Sequence, residues 1–282
     1  EALQGRRFMR WGEGESRFSR PVRWLVALLD SELVAVTLAG SDPVVTAGKE
    51  SRGHRLHKSG VAVANATDYS VVLAAAGVEV DRYRRGALIR SAVEASATAH
   101  NADADLPEAL FQELIDLVES PSLLEGRFDD HYLGLPAEVL STVMRSHQRY
   151  VPLYRKGHSQ DPLALDARAS LLPRFLCISN ALPEAAASVT RGNERVLKAR
   201  LADAEFFVRA DRNIASIDRR QQLARVTFAE GLGSLLERTE RLEWCTDVLL
   251  EQLQLPASCS SHARRAAHLC KHDLVSQMVG EF

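Results

Sequence analysis

The sequence predicts an α+β fold in which strands and helices mix up to about residue 190 and helices alone follow. Two observations lead to this prediction. Short apolar runs bounded by turn residues lie in the first half of the chain, and such runs are typical of strands. From Asn193 onward the apolar residues recur with the period of an α-helix. With 282 residues, 46% hydrophobic and 26% charged, the chain is long enough for two globular domains, which we place at 1–190 and 191–282.

The first elements are a predicted hairpin and a loop. Residues 22–29 and 33–38 are apolar runs separated by Asp30 and Ser31, a spacing that favours two buried antiparallel strands. Residues 41–60 are rich in glycine, serine, proline and charge, which predicts a loop.

Three helices are predicted next. One covers 69–76, and a second, rich in alanine, follows Asp81. The third is acidic, with Asp105 as its cap and Pro107 in its first turn. Its buried stripe consists of Leu110, Phe111, Leu114, Ile115 and Val118.

A pair of strands closes the first half. A strand at 123–128 and a helix from Pro136 precede a strand at 150–154, and residues 175–179 are the expected partner of that strand. The composition of residues 156–170 predicts a surface loop between the two.

Residues 191–207 combine a helix start, an apolar stripe and several polar residues. Gly192 and Asn193 are expected to break the chain and cap the helix. The stripe consists of Val196, Leu197, Leu201, Ala204, Phe207 and Val208. The polar residues off the stripe are Asn193, Glu194, Lys198 and Arg200. They either solvate the helix, through pairs such as Arg200 with Asp203, or contact a ligand. The longest helix is predicted from Leu232, Leu235, Leu236, Leu242, Leu249, Leu250 and Leu253.

Charge is distributed unevenly along the chain. The formal net charge of −2 argues against a basic coat over the whole molecule. Between Arg6 and Trp24, however, there are six arginines, two acidic residues and four aromatic residues. Arginines with aromatics can bind phosphates and stack on unpaired bases of single-stranded RNA. The alternative is an ordinary loop whose tryptophans belong to the core.

Cysteine usage and hydropathy point to a reduced, cytoplasmic protein. The four cysteines form no CxxC motif and have no regular spacing. No stretch of eighteen uncharged apolar residues is present, so neither a membrane span nor a membrane partner is expected. No secretory signal is visible in the sequence.

Three polar clusters are candidates for chemistry or binding. The first is the adjacent pair His272 and Asp273, which supplies too few ligands to close a divalent-metal site by itself. The second is GHRLH at 53–57, where arginines favour an anion over a metal, or where a histidine only caps a surface loop. The third is His147 with Gln148 and Arg149, which could reach bases or phosphates.

Eight collinear segments resemble the β subunit of bacterial glycyl-tRNA synthetase. The most specific is GNERVLKARLADAEFF at 192–207. The others are MRWG at 9–12, RFSRPVRWLVALL at 17–29, RGHRLH at 52–57, LPAEVLSTVMRSHQRYVPLY at 135–154, PRFLCISN at 173–180, TFAEGLGSLLERTERL at 227–242 and AAHLCKHDLVSQMVGEF at 266–282. The resemblance covers nearly the whole chain.

The resemblance implies an architecture and a role. It implies an editing-domain-like module of the B3/4 type at 1–190, followed by an all-helical HD-type domain at 191–282 that this chain contains only in part, as a middle portion of the subunit. It also implies an α2β2 enzyme whose α subunit uses ATP and Mg to activate glycine. The β subunit would help to recognise the acceptor arm of tRNA-Gly and would bind no cofactor and carry no catalytic residue itself. Consistently, the sequence has no phosphate-binding loop and no dinucleotide motif.

The residues expected to contact tRNA come from these segments. They are Arg10, Trp11, Arg52, His54, Arg55, His147, Arg149, Asn193, Arg195 and Arg200. Two other functions remain open from the residues. One is a metal-dependent HD-type phosphohydrolase with His272 and Asp273 as ligands. The other is an editing hydrolase in the first half, although a site that selects glycine by excluding larger side chains needs little editing.

Overall fold

Fourteen short strands and ten α-helices are found in the computed structural model, which describes residue 5 and residues 7–56, 60–159 and 166–281. The strands are β1 (Met9–Arg10), β2 (Arg17–Phe18), β3 (Leu25–Val26), β4 (Leu28–Leu29), β5 (Glu32–Leu33), β6 (Ala47–Gly48), β7 (Glu50–Arg52), β8 (Gly60–Ala62), β9 (Ala102–Ala104), β10 (Ser122–Arg127), β11 (Val151–Arg155), β12 (Leu171–Ser179), β13 (Thr227–Ala229) and β14 (Gly233–Ser234).

The helices alternate with these strands and then dominate the chain. They are α1 (Tyr69–Ala75), α2 (Arg82–Ala99), α3 (Glu108–Leu117), α4 (Ala137–Thr142), α5 (Ala167–Ser170), α6 (Ala186–Arg212), α7 (Ser216–Arg220), α8 (Leu235–Leu253), α9 (Ala257–Leu269) and α10 (Gln277–Glu281). Single 3-10 turns lie at Ala66–Asp68, Asp130–Gly134, Pro183–Ala185, Gln221–Arg225 and His272–Val275, and a π-helical turn lies at Val143–His147. The predicted α+β class is confirmed at this level. In the ranges that the structure describes, no helix is long and apolar enough to cross a membrane.

Contacts divide the chain into two compact units. Unit 1 comprises Glu1–Phe128, Met144–Ala164 and Arg168–Glu194. Unit 2 comprises Asp129–Val143, Leu165–Ala167 and Arg195–Phe282. The division of the chain into an editing-like domain at 1–190 and an HD-like domain at 191–282 stays a prediction.

The core of unit 1 is a four-stranded antiparallel sheet with the order β10-β12-β11-β9. Helices α2 and α3 cover one face of it, where buried side chains of both helices pack with those of β11 and β12. The predicted pairing of 150–154 with 175–179 is confirmed, since Val151 lies opposite Leu176. The apolar stripe of α3 is confirmed as well, because its five predicted residues are all buried. Burying this apolar surface is the main driving force for the fold of unit 1.

The opposite face of β12 presents Phe175, which is 1% exposed. The ring of Tyr150 stacks on it at 4.5 Å between centroids. Burial raises the pKa of the Tyr150 phenol to about 12, so the hydroxyl stays neutral at physiological pH. The predictions that Tyr150 and Leu153 belong to the core are confirmed, since they are 5% and 0% exposed, whereas Tyr154 is only half-buried.

The start of α3 differs from the prediction. The helix begins after Pro107, whose side chain makes no capping bond. Asp105 does not cap it, because its carboxylate pairs with Arg145 at 3.1 Å. The cap of α2 is present instead, with the Asp81 carboxylate accepting from the two backbone N–H groups that follow Arg82.

The predicted hairpin near residue 30 exists but is not buried. Strands β4 and β5 pair around Asp30, which has φ of 51°. Leu29 and Leu33 are 68% and 48% exposed, so the predicted burial is wrong. The second apolar run also bonds to the segment that contains β6, since Ala47 N donates to Val36 O.

Helix α6 begins before Gly192 and Asn193, so the predicted break and cap at these residues are wrong. The Asn193 side chain donates to Cys177 Sγ at 3.3 Å, and the Glu194 carboxylate accepts from Arg127 N at 2.9 Å. These bonds serve tertiary contacts within unit 1. A glycine inside a helix costs about 1 kcal/mol, which a 27-residue helix tolerates. The predicted stripe is confirmed at Leu197, Leu201, Ala204 and Val208, which are buried.

Unit 2 contains a strand pair that was not predicted. Strands β13 and β14 form a hairpin before α8, whose capping box joins Ser234 and Glu237. The prediction of helices alone beyond Asn193 is therefore wrong here. Of the predicted leucine stripe, Leu235 and Leu250 are buried, while others, such as Leu253 at 62%, are exposed.

Two buried arginines of α7 connect the helices of unit 2. Arg219 donates to the main-chain oxygen and carboxylate of Asp211 on α6. The same carboxylate accepts the N–H groups of residues 277 and 278 at the start of α10. Arg220 donates to both carboxylate oxygens of Glu243 on α8, each at 3.1 Å, and to His268 O on α9 at 3.0 Å. Five helices, α6 to α10, are therefore joined through Arg219, Arg220 and the Asp211 carboxylate.

Replacing Arg220 should destabilise unit 2. In Arg220→Lys the ammonium cannot reproduce the forked bonds to Glu243 or the separate bond to His268 O. We expect the free energy of unfolding to fall by roughly 1–3 kcal/mol, measured by chemical denaturation. The matched control is Arg264→Lys, because its pair with Asp247 is exposed; a loss of the same size there would contradict the special role of Arg220.

A carboxylate between α2 and β10 should make stability depend on pH. Burial opposes ionisation of Glu125, but hydrogen bonds from Ser96 at 2.6 Å and His100 at 2.9 Å outweigh it and lower the pKa of Glu125. A lowered folded-state pKa adds stability that is present above the unfolded value of about 4.3 and is lost as pH falls through the folded value. Unfolding of Glu125→Gln should therefore differ from that of the parent protein at pH 7, and the difference should shrink below pH 4. A constant difference would argue against this assignment.

Candidate nucleic-acid interface

The N-terminal arm, residues 7–24, presents exposed arginines. Strands β1 and β2 form an antiparallel ribbon in which Arg10 lies directly opposite Arg17. Both side chains are exposed, as are Arg20 and Arg23. In the described part of the chain, no ion pair joins these four arginines to a carboxylate. Like charges directly opposite each other destabilise a ribbon. A bound anion would relieve this repulsion, so the ribbon is suited to binding one.

Close backbone contacts hold the arm in place. The N–H groups of Glu15 and Ser16 both donate to Gly40 O, at 2.7 and 2.9 Å. A Cβ added to Gly14 would lie 2.3 Å from the same oxygen. Gly12 has φ of 66°, which favours glycine. These contacts fix the turn between β1 and β2 against residues 40–42.

Trp11 is half-buried and spans the ribbon. Its Nε1 donates to Phe18 O at 2.9 Å, and the Phe18 ring packs near Phe8 with centroids 6.0 Å apart. Trp11, which we predicted to contact tRNA, therefore already holds the two strands of the ribbon together. Part of its ring remains accessible.

His54 is the exception among the predicted contact residues, because it is buried at 1% exposure. Its Nε2 donates to Asn180 O at 2.8 Å, and its Nδ1 accepts from Leu56 N at 3.4 Å. The Asn180 amide oxygen in turn accepts from the N–H groups of residues 119 and 120. In this conformation His54 anchors its loop and does not present its ring to a ligand, which corrects its expected role as a contact.

The arginines on either side of His54 are exposed. The Arg52 guanidinium lies 5.0 Å from the ring centre of Trp24, a cation–π contact. Arg55 points away from the core in the turn that follows. His57, the last residue of the GHRLH motif, lies outside the described residues.

The predicted cluster at 147–149 lies where helix α4 ends in a π-helical turn. His147 is half-buried and already has an interaction partner. Arg149 has φ of 58°, and its Nε pairs with Glu113 at 2.8 Å. Because this carboxylate neutralises it, Arg149 is a weaker candidate for phosphate binding than the arginines of the arm.

The three predicted residues of α6 differ in their surroundings. Asn193 is half-buried and bonds to the Cys177 thiol. Arg195 and Arg200 are exposed on unit 2, and the predicted pair of Arg200 with Asp203 is not seen among the described ion pairs. These two arginines remain candidates for RNA contact.

His272 and Asp273 lie on a 3-10 turn. His272 Nδ1 is occupied by Leu269 O at 2.6 Å. Within the residues that the structure describes, no three His, Cys, Asp or Glu side chains are grouped to hold a metal.

Sequence reasoning missed Arg17 and Trp24 as candidates. Both lie in the arginine-rich stretch that the composition had identified. Two structural relations make them candidates. Arg17 lies opposite Arg10 in the ribbon, and Trp24 lies against the Arg52 guanidinium. Neither relation can be obtained from spacing alone.

Comparisons with known proteins decide the family. The family described as Glycyl-tRNA synthetase beta subunit matches residues 1–282. The chain belongs to the glycyl-tRNA synthetase beta subunit family. It is 43% identical over its whole length to the glycine--tRNA ligase beta subunit of Acaryochloris marina, covering 38% of that protein. It is 41% identical over 97% of its length to that of Moorella thermoacetica, covering 38%, and 36% identical over 97% to that of Lactiplantibacillus plantarum, covering 37%.

The chain therefore spans little more than a third of the glycyl-tRNA synthetase beta subunits that it matches. The resemblance stated from its sequence segments is confirmed. The alternative of an HD-type phosphohydrolase has no support from these relatives.

Because the Asn193 side chain bonds to the Cys177 thiol, we expect Asn193 to stabilise the fold and not to contact RNA. The environment of this thiol can be tested through its reactivity. Burial raises the pKa of the Cys177 thiol to about 11, opposed by the Asn193 amide. The thiolate is the reactive form, so Cys177 should be alkylated at pH 8 at least roughly a hundredfold more slowly than a thiol with an ordinary pKa of about 8.5. The exposed Cys245 and Cys259 are the internal controls, and peptide mass spectrometry gives the rates. Equal labelling rates of Cys177 and Cys245 would show that burial does not raise the pKa of the Cys177 thiol.

Proposed function

We propose that this chain is part of a glycine--tRNA ligase, in which it helps to hold the acceptor arm of tRNA-Gly for an α subunit that carries out the ATP-dependent chemistry. The observation that carries this proposal is the arm of exposed, unneutralised arginines interleaved with aromatic rings. Family membership supplies the reaction, and the arm supplies a surface that suits RNA. In this proposal the chain contributes binding and positioning and no catalytic residue.

The arginines of unit 1 fall into two groups. On α2, Arg82 pairs with Asp116 at 2.8 Å and Arg84 pairs with Glu79 at 3.0 Å. In the arm, Arg10 and Arg17 face each other, and neither has such a partner among the residues that the structure describes. A phosphate between them would remove their mutual repulsion, and guanidinium groups bind phosphates through paired hydrogen bonds. The arm is therefore the part of unit 1 where an anion gains most.

The aromatic residues favour RNA over a simple anion. Trp24, next to Arg23, is 44% exposed and carries the Arg52 guanidinium. Exposed indole rings with neighbouring arginines suit unpaired bases, since single strands offer both a phosphate and a free ring face. The end of an acceptor arm is single-stranded RNA of this kind.

The wider assembly follows from the same proposal. We expect an α2β2 tetramer in the cytoplasm, with ATP and Mg bound by the α subunit. We also assign the first half of the chain to an editing-like module of the B3/4 type and the second half to part of an HD-type helical domain. The antiparallel sheet and the helices of unit 1 are compatible with the first type, and the helices of unit 2 are compatible with the second.

Removing the charges of the ribbon should weaken tRNA binding. We expect Arg10→Gln/Arg17→Gln, tested in the complete α and β complex, to lower tRNA-Gly affinity. The slope of log affinity against log salt should fall by roughly 0.7–0.9 for each phosphate that the protein no longer neutralises. Filter binding at several salt concentrations measures both quantities.

The control removes the same charge from arginines that are already paired. Arg82→Gln/Arg84→Gln lowers the net charge equally but should leave affinity and slope close to those of the parent complex. Equal losses in both double variants would show a general effect of charge. No loss in the ribbon variant would refute the arm as a tRNA-binding surface.

A further inference from the structure

Beside the arm, unit 1 contains an open cavity of about 410 Å³. It is lined by residues of β3, β4, β7 and the start of α1 and by residues next to strands or in the turn before α1. They are Trp24, Leu25, Val26, Leu28, Ser51, Val63, Ala66 and Tyr69. Volumes of roughly 300–1,000 Å³ are typical of sites for small ligands. The cavity is therefore large enough for one planar ring with its attached sugar.

We propose that this cavity binds one unstacked base of an RNA single strand, while the phosphate beside that base lies on Arg52. The proposal rests on the function proposed above, since it names the part of the RNA that the arm region receives. It adds a site built from Trp24 and Tyr69, neither of which is among the ten residues expected to contact tRNA.

The walls of the cavity have the chemistry that a base requires. Trp24 and Tyr69 are 44% and 38% exposed, so their rings are accessible to a ligand. Aliphatic side chains such as Leu25 and Leu28, which are half-buried, complete an apolar surface. Ser51, 7% exposed, adds a hydroxyl group to this lining. Aromatic faces with a few polar groups are the usual surroundings of a splayed RNA base.

The charge beside the cavity selects a nucleotide over an uncharged apolar ligand. Arg52 follows Ser51 in β7, and its guanidinium lies 5.0 Å from the ring centre of Trp24. One side chain of the lining is therefore in direct contact with a cation. Arg52 and Arg23 are both exposed, and neither pairs with a carboxylate in the described ranges. A base in the cavity would place its own phosphate within reach of this positive charge.

Backbone contacts preform the cavity. Residue 52 is held in register opposite Gly60 by β7 and β8, and Val63 N donates to Lys49 O at 2.8 Å. The Lys49 ammonium donates to Ser31 O at 2.6 Å, which connects the turn after β4 to the same region. A preformed site loses less conformational entropy when a ligand binds.

The test removes the aromatic face and keeps the apolar volume. In the complete α and β complex, Trp24→Leu should weaken tRNA-Gly binding by roughly 5- to 150-fold, the range expected when one base can no longer stack. The weakening should be similar at low and high salt, whereas Arg10→Gln/Arg17→Gln changes the salt slope. Trp24→Phe keeps a ring and should retain most of the affinity.

Two controls separate this site from a loss of folding. Trp244→Leu removes another exposed tryptophan, 68% exposed on α8 of unit 2, and should have no effect. Tyr69→Leu should act in the same direction as Trp24→Leu, and thermal unfolding of each variant checks that the fold is retained. If Trp24→Leu binds as tightly as Trp244→Leu while the ribbon variant binds weakly, the cavity proposal fails and the proposed function stands. If neither the ribbon variant nor Trp24→Leu weakens binding, both fail.

Shortened and abasic tRNAs identify the base. One transcript lacks the single-stranded 3′ end, and a second has abasic nucleotides in its loops. Trp24→Leu should cost affinity with the intact transcript and cost nothing with the transcript that lacks the inserted base, as in a double-mutant cycle. A cost that persists with both altered transcripts would overturn base insertion.

Discussion

The sheet of unit 1 depends on one close approach, between the ring of Phe175 and the backbone of Gly126. A Cβ at position 126 would lie 2.2 Å from that ring, so the two strands can pair in this register only because residue 126 has no side chain. The pairing makes β12 a central strand, buried on both faces. On one face of the sheet, Phe175 of β12 then carries the stacked ring of Tyr150, and the helices α2 and α3 pack on the other face. The arginines of the arm lie outside this sheet, on shorter strands and the segments beside them.

Much of the fold could be predicted from periodicity, because the buried stripe of α3 and the pairing of β11 with β12 each follow from residues close together in sequence or from a repeating pattern. Tertiary contacts explain the errors. Asp105 is drawn to Arg145 and Asn193 to Cys177, so residues with good capping side chains make no cap. The short strands around residue 30 look buried in sequence because they are apolar, yet little packs against them. The site was predictable only as a stretch of arginines and aromatics, since cross-strand register and the contact of Arg52 with Trp24 depend on residues far apart in the chain.

Arginine has at least three distinct roles in this chain. In unit 2, Arg219 and Arg220 are buried and hold helices together through bonds to carbonyl and carboxylate oxygens. On α2, Arg82 pairs with the exposed carboxylate of Asp116, which contributes little to stability. In the arm, arginines face solvent and one another. A net charge of −2 conceals this division completely, so the placement of carboxylates, and not the number of basic residues, determines where the protein can attract a polyanion.

Under the proposed function, the buried His54 would affect binding without touching a ligand. Its ring fixes the loop through Asn180, whose own amide fixes a second loop at residues 119–120. The ordering of this segment is completed during folding, so an incoming anion has to immobilise only the side chains of Arg52 and Arg55. Loss of binding after a change at position 54 or 180 would then measure the entropy of a loosened loop. A genetic screen that scores only loss of activity would find His54 as readily as the arginines beside it and would place the contact surface too deep in the protein.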